Sequence, residues 1–279
     1  MRTIKDPYTK LNTETVVALG CFDGVHIAHA RVIGEAVRIA RERGCAAAVW
    51  CFSEPPKNFY LKEPVPLICN GEEKARLIRT LGADILITPD FDRDISALTP
   101  EVFVKKLLCE CAGAVHLVCG KNYTFGAGGH GDVSLMRRIC EESSVGLSVI
   151  DDVTLDGACV SSSLVREAVQ SGQCVYASKL LGRGFSVIFD SVDTIYDEAS
   201  PRERRLILPP KYLSVPSGRY DVDVSFSGYR KKCVAIVKST EGGTEILLGV
   251  SVNDGGRVRV TFSGNRLTEP RKREQRDCT

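Results

Sequence analysis

Between residues 15 and 150 the sequence alternates short apolar runs with longer segments of helical periodicity, and this alternation constrains the fold more than any other feature. The short runs are typical of buried strands because they are apolar and flanked by turn residues. Strands that alternate with helices indicate parallel pairing through right-handed crossovers. We therefore predict an α/β fold with a doubly wound parallel sheet. Its predicted strands are Thr15–Gly20, Cys45–Phe52, Ala83–Thr88, Ala114–Cys119 and Leu147–Ile150.

Beyond residue 184 the pattern changes to short runs that alternate apolar and polar residues and are rich in β-branched side chains, which indicates an all-β region. The charged, proline-containing stretch 196–218 is predicted to be a long loop. We predict an α/β domain over residues 1–183, a small barrel-like β domain over 184–268 and a basic disordered tail over 269–279. The predicted strands of the β domain are Phe185–Ile188, Tyr220–Phe226, Cys233–Val237, Glu245–Val252 and Arg257–Phe262.

The composition argues against several classes of partner. The 279 residues carry a formal net charge of only +2, which gives no chain-wide basic field for nucleic acid. No apolar stretch approaches the roughly 20 residues that a membrane span needs, and the opening MRTIKDPYTK is polar. The twelve cysteines include no CxxC pair, so we predict neither a metal site nor a disulfide framework. We expect a cytoplasmic monomer or small homo-oligomer with no nucleic-acid or membrane partner.

The first predicted strand leads through the loop GCFDGVHIAH into a helix, and this loop is a candidate anion site. Unpaired amide groups and the helix dipole favour an anion at a helix N-terminus. His26 and His29, three residues apart on one helix face, can both donate hydrogen bonds to the same phosphate. Gly20 and Gly24 would let the backbone approach it closely. The alternative is that His26 caps the helix and His29 packs on the sheet.

Two further segments have side chains suited to a phosphorylated ligand with a flat ring. Ser161–Ser163 precede a helical run, and Arg166 one turn later can pair with a phosphate through two N–H groups. The alternative is an ordinary serine cap and a solvated arginine. Asn122 offers amide hydrogen bonds, while Tyr123 and Phe125 offer aromatic surface. The alternative for these three is a hydrophobic loop that closes the end of the sheet.

Together the three segments resemble a known family. The loop GCFDGVHIAH is similar to the HxGH signature of the nucleotidyltransferase superfamily, in the GxFDGxHxGH form of bacterial FAD synthetases. The segment GKNYTFGAGGHGD resembles that family's flavin-site segment GxDFRFG…GD. The stretch VSSSLVREAVQSGQCVYASKLLGRGFSV resembles its ISSTxIRxxLxxGxxxxAxxLLGRPY block. The motifs follow in the family's order between residues 20 and 187. The resemblance implies a Rossmann-like nucleotidyltransferase domain.

The resemblance also implies an activity and a set of site residues. The implied enzyme is an FMN adenylyltransferase, which uses Mg²⁺ and joins ATP and FMN to give FAD and pyrophosphate, with His26 and His29 as the catalytic residues that hold the reacting phosphates. Such a reaction needs positioning and neutralisation of charge and no covalent enzyme intermediate. The implied ATP-binding residues are Gly20, Phe22, Asp23, Gly24, His26, His29, Ser162, Ser163 and Arg166. The implied flavin-binding residues are Phe52, Pro56, Asn122, Tyr123 and Phe125.

Two departures from the family pattern keep other functions open. Ala28 stands where the family has glycine between the histidines, and FSEPP replaces FxPHP, so that Glu54 and Pro55 take the places of proline and histidine. A carboxylate near phosphorylated substrates would repel them unless it turns away. The alternatives are nucleotidyl transfer to another phosphorylated acceptor and non-catalytic binding of a flavin or nucleotide.

The second predicted domain departs further from the family. The family usually carries a riboflavin kinase there, entered through a glycine-rich segment and a GRxxGFPTAN block. This chain has no glycine between Ser186 and Pro209, and only the GRYDVDV region and the following strands resemble the kinase barrel. Glu245 could be a remnant of the kinase base, although an isolated glutamate at a strand start is typical of solvent-exposed surface. We predict a vestigial barrel without riboflavin kinase activity.

Overall fold

The computed structural model describes residues 1–190, 194–196, 204–248 and 256–267. These residues divide into two units. The first comprises Met1–Arg166 with Leu180–Gly182, and the second comprises Glu167–Lys179 with the described residues from Arg183 onward. The domain limits at residues 183 and 268 stay a prediction, and the predicted tail lies outside the described residues.

A parallel sheet of six strands forms the centre of the first unit. Its strands are β1 (Arg2–Ile4), β2 (Thr15–Leu19), β3 (Ala46–Trp50), β4 (Ile85–Ile87), β5 (Ala114–Gly120) and β6 (Gly146–Ile150). The spatial order is β1-β4-β3-β2-β5-β6. All five predicted strands of this region are confirmed. The additional strand β1 has three residues, too few to show a periodicity, and it forms only because it pairs with β4 far along the chain.

Helices cover both faces of this sheet, as the doubly wound fold requires. Along β2, Val17 and Leu19 pack in one core cluster with Leu107, while Val16 and Ala18 pack in another with Ile33 of the first helix. The helices are α1 (Ile27–Arg43), α2 (Gly71–Thr80), α3 (Arg93–Ser96), α4 (Pro100–Val102, continued by π-helical Phe103–Cys111), α5 (Val133–Glu142), α6 (Ser162–Gln170) and α7 (Cys174–Leu181). Successive side chains of a strand point to opposite faces of the sheet, so the uninterrupted apolar strand β2 contributes side chains to both core clusters.

Short polar side chains fix where several of these helices begin. The side chain of Asn70 accepts a hydrogen bond from the third amide of α2 at 2.8 Å, and Asp132 does the same for α5 at 2.8 Å. Thr99 caps α4, with Pro100 at its first position. Each cap satisfies an amide that the helix itself leaves unpaired.

The second unit contains one antiparallel sheet of seven strands, so the predicted fold class is confirmed for this region as well. A small hairpin, β7 (Thr154–Leu155) and β8 (Ala158–Cys159), precedes it in the chain. The sheet strands are β9 (Phe185–Phe189), β10 (Thr194–Tyr196), β11 (Arg204–Leu208), β12 (Gly218–Phe226), β13 (Tyr229–Thr240), β14 (Gly243–Leu248) and β15 (Val258–Phe262). Their order is β10-β11-β14-β13-β12-β15-β9, and the core of the sheet includes fully buried Phe185, Phe189, Tyr220 and Phe262.

One prediction for this region is wrong in part. The stretch 196–218 was expected to be a long loop, yet β11 lies within it and pairs along its whole length with β14. Leu206 and Leu208 alternate inward and are buried, but the charged residues before them obscure that alternation. In the described part of the chain, no helix has the length and apolar character to cross a bilayer.

Gly113, the residue before β5, lies in close contact with the backbone of Thr13. Its φ of 66° lies in the left-handed region, and a Cβ placed there would lie 2.4 Å from the carbonyl oxygen of Thr13. The neighbouring backbone is fixed by a hydrogen bond from the Thr15 amide to the Gly113 carbonyl at 2.9 Å. Only glycine meets both conditions without moving the backbone.

We predict that Gly113→Ala lowers the free energy of unfolding by about 3 kcal/mol, since it adds an overlap with backbone to the cost of a left-handed alanine. Gly44→Ala is the matched control, because Gly44 has nearly the same φ of 68° but nothing within 4 Å of the added Cβ. The control should lose about 1 kcal/mol. Chemical denaturation measures both, and equal losses would contradict the steric argument.

Candidate active site

Two adjoining cavities open at the carboxyl ends of the parallel strands, where ligands bind in sheets of this kind. The larger, which we call the aromatic cavity, has a volume of about 750 Å³ and is lined by Trp50, Phe52, Phe91, Phe103, Tyr123 and Phe125 among others. The smaller, which we call the histidine cavity, has a volume of about 280 Å³ and includes His26 and His29 in its wall. The residues common to both walls are Gly20, Cys21, Asn122, Tyr123, Ser161 and Ser162.

The structure brings nearly all the predicted site residues to these cavities. The aromatic cavity contains all five predicted flavin residues, together with Gly20, Asp23, Ser162, Ser163 and Arg166. The predicted ATP residues on the histidine cavity are Gly20, Phe22, His26, His29 and Ser162. Gly24 lines neither of the two. Its φ is 77° and a Cβ there would lie 2.7 Å from the side chain of Ile68, so its place in the structure is explained by close packing.

The turn that follows β2 holds its backbone under strain. Phe22 has a φ of 50° and Val25 a φ of 41°, in a region that non-glycine residues avoid and β-branched residues avoid most. Both side chains are buried, and the Val25 amide donates to the Phe22 carbonyl at 3.2 Å. Conformations of this kind persist only where surrounding contacts determine them.

A buried ion pair supplies those contacts. Nη2 of Arg166 lies 2.5 Å from Oδ2 of Asp23, and the Ile68 amide donates to Oδ1 of the same carboxylate at 3.1 Å. Nε of Arg166 donates to the Pro66 carbonyl at 2.9 Å, and the Ser162 hydroxyl donates to the Asp23 carbonyl at 3.1 Å. We call this group of contacts the Asp23 clamp. It joins the strained turn, the start of α6 and the segment before α2.

The Asp23 clamp changes how two predicted residues are understood. Burial raises the pKa of the Asp23 carboxyl, and the Arg166 guanidinium opposes that shift. The Asp23 carboxylate accepts hydrogen bonds from Arg166 and the Ile68 amide, so it orients Arg166, and its role toward a nucleotide stays a prediction. The sequence predicts that Arg166 binds a phosphate through two N–H groups, yet two of its N–H groups already donate to the Pro66 carbonyl and the Asp23 carboxylate. Its charge still faces the aromatic cavity.

The two histidines are stacked at the start of α1. Their ring centroids lie 3.5 Å apart, and Nδ1 of His26 accepts a hydrogen bond from the His29 amide at 3.3 Å. His26 is therefore the cap of α1, as the structural alternative proposed, but it also lines the histidine cavity. Because Nδ1 accepts, a neutral His26 carries its proton on Nε2.

His29 lies in surroundings that favour the neutral form of its ring. Burial, and next the neighbouring His26, hold the pKa of His29 well below its ordinary value of 6.5. Its buried Nδ1 has no hydrogen-bond partner among the residues that the structure describes. Buried polar atoms without partners are uncommon and call for an explanation. A ligand in the histidine cavity would contact this ring.

The residues that depart from the family pattern, Ala28, Glu54 and Pro55, lie at different places relative to the two cavities. Glu54 is exposed and lines neither cavity, whereas Pro55 and Pro56 line the aromatic cavity. The strand end before them is fixed by Lys74, whose buried ammonium donates to the Phe52 and Ser53 carbonyls at 2.8 and 2.9 Å. Ala28 does line the histidine cavity, where its methyl group takes up space. Because Glu54 lines neither cavity, its carboxylate is not placed to repel an anion bound in one of them.

Sequence reasoning missed several residues of the aromatic cavity. Trp50 is the last residue of β3 and Phe91 lies four residues beyond β4, so their position at strand ends could have identified them. Phe103 gave no such signal because it reaches the cavity from a helix. Cys21 lines both cavities, and burial raises the pKa of its thiol to about 11, so it is an uncharged part of the wall.

We predict that Asp23→Ala lowers the free energy of unfolding by about 3 kcal/mol or more, because it leaves the Arg166 charge buried without its partner. Glu142→Ala is the matched control, since it breaks an ion pair with Lys105 in which both side chains are about half exposed. That variant should lose less than about 1 kcal/mol. Denaturant titration compares them, and a small loss in Asp23→Ala would show that the Asp23 clamp does not hold the turn.

Comparison with known proteins assigns the family. The family model for FAD synthetase matches residues 8–164, more than half of the chain. A Bacillus subtilis protein named bifunctional riboflavin kinase/FMN adenylyltransferase is 30% identical over 224 residues, which cover 77% of this chain and 69% of that protein. Relatives of the same name from Listeria monocytogenes and Escherichia coli K12 are 31% and 28% identical, and the alignments cover 63% and 62% of this chain but only 56% and 55% of the relatives.

Comparison with solved structures supports the fold. A crystal structure described as a macrolide-efflux protein from Streptococcus pneumoniae matches with a TM-score of 0.83 and 23% identity, covering 99% of this chain and 95% of that one. At that identity it supports the architecture alone. The family match contains the first two motifs and the start of the third, and the chain belongs to the FAD synthetase family of nucleotidyltransferase enzymes.

Proposed function

We propose that this chain is an FMN adenylyltransferase, which transfers AMP from ATP to FMN and releases pyrophosphate. The observation that carries the proposal is the shared wall between the aromatic and histidine cavities. An aromatic wall suits a flat ring system, and paired imidazoles beside a helix start suit phosphates. A flavin mononucleotide has both parts in one molecule. The names of the curated relatives support the same substrates.

In the proposed reaction a phosphate oxygen of FMN attacks the α-phosphorus of ATP, and the bond to pyrophosphate breaks. Nε2–H of His26 and the ring of His29 would hold phosphate oxygens in the histidine cavity, where charge builds up. Ser163 would add a hydroxyl donor at the start of α6, where the Ser162 hydroxyl donates to the Asp23 carbonyl, and Arg166 would add charge from a side chain held by Asp23. These contacts position the reactants and neutralise charge without a covalent intermediate.

Mg²⁺ would supply further charge neutralisation on the phosphates of ATP. Among the residues that the structure describes, no group of three or more His, Cys, Asp or Glu side chains could hold a metal ion. Magnesium commonly binds nucleotides through phosphate oxygens and water, with few protein ligands. The histidine cavity wall contains His26, His29 and Ser162, and also Asp151 and Asp152, and these residues are compatible with a metal that arrives with the nucleotide.

We also propose that the chain does not phosphorylate riboflavin and that its β-sheet unit is vestigial. Glu245, the possible remnant of a kinase base, lies 3.3 Å from Arg205 on the neighbouring strand, and its side chain is only 13% exposed. A carboxylate held in an ion pair with the neighbouring strand is not positioned to take a proton from a substrate hydroxyl. The oligomeric state and the cytoplasmic location stay predictions.

Incubation of the purified protein with Mg·ATP and either FMN or riboflavin, followed by chromatography of the flavins, tests both proposals. We expect FAD from FMN and no product from riboflavin. A flavin that binds but is not converted would favour the non-catalytic binder, for which the Ala28 methyl in the histidine cavity is the relevant observation. FMN formed from riboflavin, at a rate above that of Glu245→Gln, would contradict the absence of kinase activity.

We predict that His29→Ala lowers kcat at least about tenfold while the Kd for FMN changes little, because a contact that strengthens as charge develops acts on the chemical step. His130→Ala is the matched control, since His130 is exposed and lines neither cavity. Steady-state kinetics and flavin titration separate the two quantities. Equal losses in kcat and FMN affinity would mean that His29 only shapes the cavity.

A further inference from the structure

We infer that the indole N–H of Trp50 donates a hydrogen bond to an acceptor atom of the flavin ring and so fixes which end of the ring faces β3. The inference rests on the proposed function, which places the ring in the aromatic cavity and the reacting phosphates in the histidine cavity. One end of a flavin ring carries carbonyl oxygens and ring nitrogens, whereas the other end is a methylated benzene ring. A donor on the cavity wall therefore distinguishes the two ends.

The indole of Trp50 is a buried donor that lacks an acceptor. Trp50 is the last residue of β3, lines the aromatic cavity and is only 2% exposed. Its Nε1 has no hydrogen-bond partner among the residues that the structure describes. An indole nitrogen can only donate, and a buried tryptophan usually has a partner for its N–H group. Because this unpaired donor belongs to a cavity wall, a ligand in the cavity can supply the acceptor.

The side chains stacked edge to face with the indole are aromatic and offer it no oxygen. Phe52 and Phe103 lie with their ring centroids 4.8 and 5.1 Å from that of Trp50, and each ring plane is turned by 86° from the indole plane. The face of an aromatic ring is only a weak acceptor for an N–H group. A carbonyl oxygen or ring nitrogen of a bound flavin would form the stronger hydrogen bond.

The indole is held in place before a ligand binds. The backbone of Trp50 pairs with Leu19 of β2 on one side and with Ile87 of β4 on the other. The carbonyl of Phe52, whose ring packs on the indole, accepts a hydrogen bond from the buried Lys74 ammonium at 2.8 Å. A donor that is already fixed loses little freedom when a ligand accepts its hydrogen bond.

The orientation of the ring matters for the proposed reaction. The phosphate of FMN must reach the α-phosphorus of ATP in the histidine cavity, and the wall common to the two cavities includes residues that follow β2 and β5. A ring held by one end presents its phosphorylated side chain in one direction. Binding in a single orientation therefore keeps that phosphate on the side of the common wall, where it can attack.

Position 50 can be observed by itself, because the chain contains one tryptophan. When the whole chain is prepared with ¹⁵N-labelled tryptophan, a proton–nitrogen correlation spectrum contains a single indole N–H signal. We expect saturation with FMN or with riboflavin to move this signal downfield and to slow the exchange of its proton with water, as a new hydrogen bond requires. A non-hydrolysable ATP analogue alone should leave the signal in place.

Position 50 can also be altered without a change of shape. Growth on 3-benzothienylalanine replaces the indole N–H by sulfur, and growth on 4-fluorotryptophan, which keeps the N–H, is the matched control. Titrations monitored by flavin fluorescence should give Kd values for FMN and riboflavin that both rise about tenfold in the benzothienyl protein, since a hydrogen bond to the shared ring is lost. The control protein should keep both affinities. The Kd for the ATP analogue should be the same in all three proteins.

The remaining outcomes distinguish the inference from the proposed function. If the native protein binds neither flavin, the proposed function fails and the inference falls with it. If flavin binds but the indole signal stays in place or moves upfield, or if the benzothienyl protein binds FMN as tightly as the native protein, the flavin site stands and the role of Trp50 is wrong. Equal losses of affinity for FMN and for the ATP analogue would show a general disturbance of the site and would also overturn the inference.

Discussion

The ion pair between Asp23 and Arg166 is the interaction on which the site depends. It joins side chains 143 positions apart in the sequence and buries both charges. Removing two charges from water is costly, and the cost is offset only where geometry is good and further hydrogen bonds satisfy the remaining atoms. The Ile68 amide and the Pro66 carbonyl meet that condition here. The strained turn after β2 and the start of α6 are thereby held against each other.

The strand order explains why two cavities adjoin at this point. β2 lies next to β5, whereas the strand that follows it in the sequence, β3, lies on its other side. The chain therefore leaves the ends of β2 and β5 in different directions, and a crevice opens between them. The loop after β2 supplies His26 and His29, and the loop after β5 supplies Asn122 and the neighbouring aromatic residues. Each loop brings one kind of chemistry to a common wall.

Sequence reasoning located the strands of the first sheet and the loops that carry the site, because apolar runs and motif residues are local signals. It did not show that Arg166 faces Asp23, since two charges far apart in sequence give no sign of contact. It also missed β1 and β11, whose formation depends on pairing with β4 and β14 rather than on their own residues. Sequence reasoning did not predict that Phe103 lines the aromatic cavity, because helical periodicity indicates that a residue is buried but not which cavity it borders.

The burial of His29, which lowers the pKa of its ring, bears on how a catalytic cycle would end. Neutral donors form weaker hydrogen bonds to phosphate oxygens than charged ones do. In the proposed reaction, pyrophosphate would leave a ring that offers a hydrogen bond and no full positive charge, so His29 would hold the product less tightly than an imidazolium would. Product departure limits the turnover of many enzymes. Burial that disfavours the charged form of His29 would thus shorten the time that the leaving group stays bound.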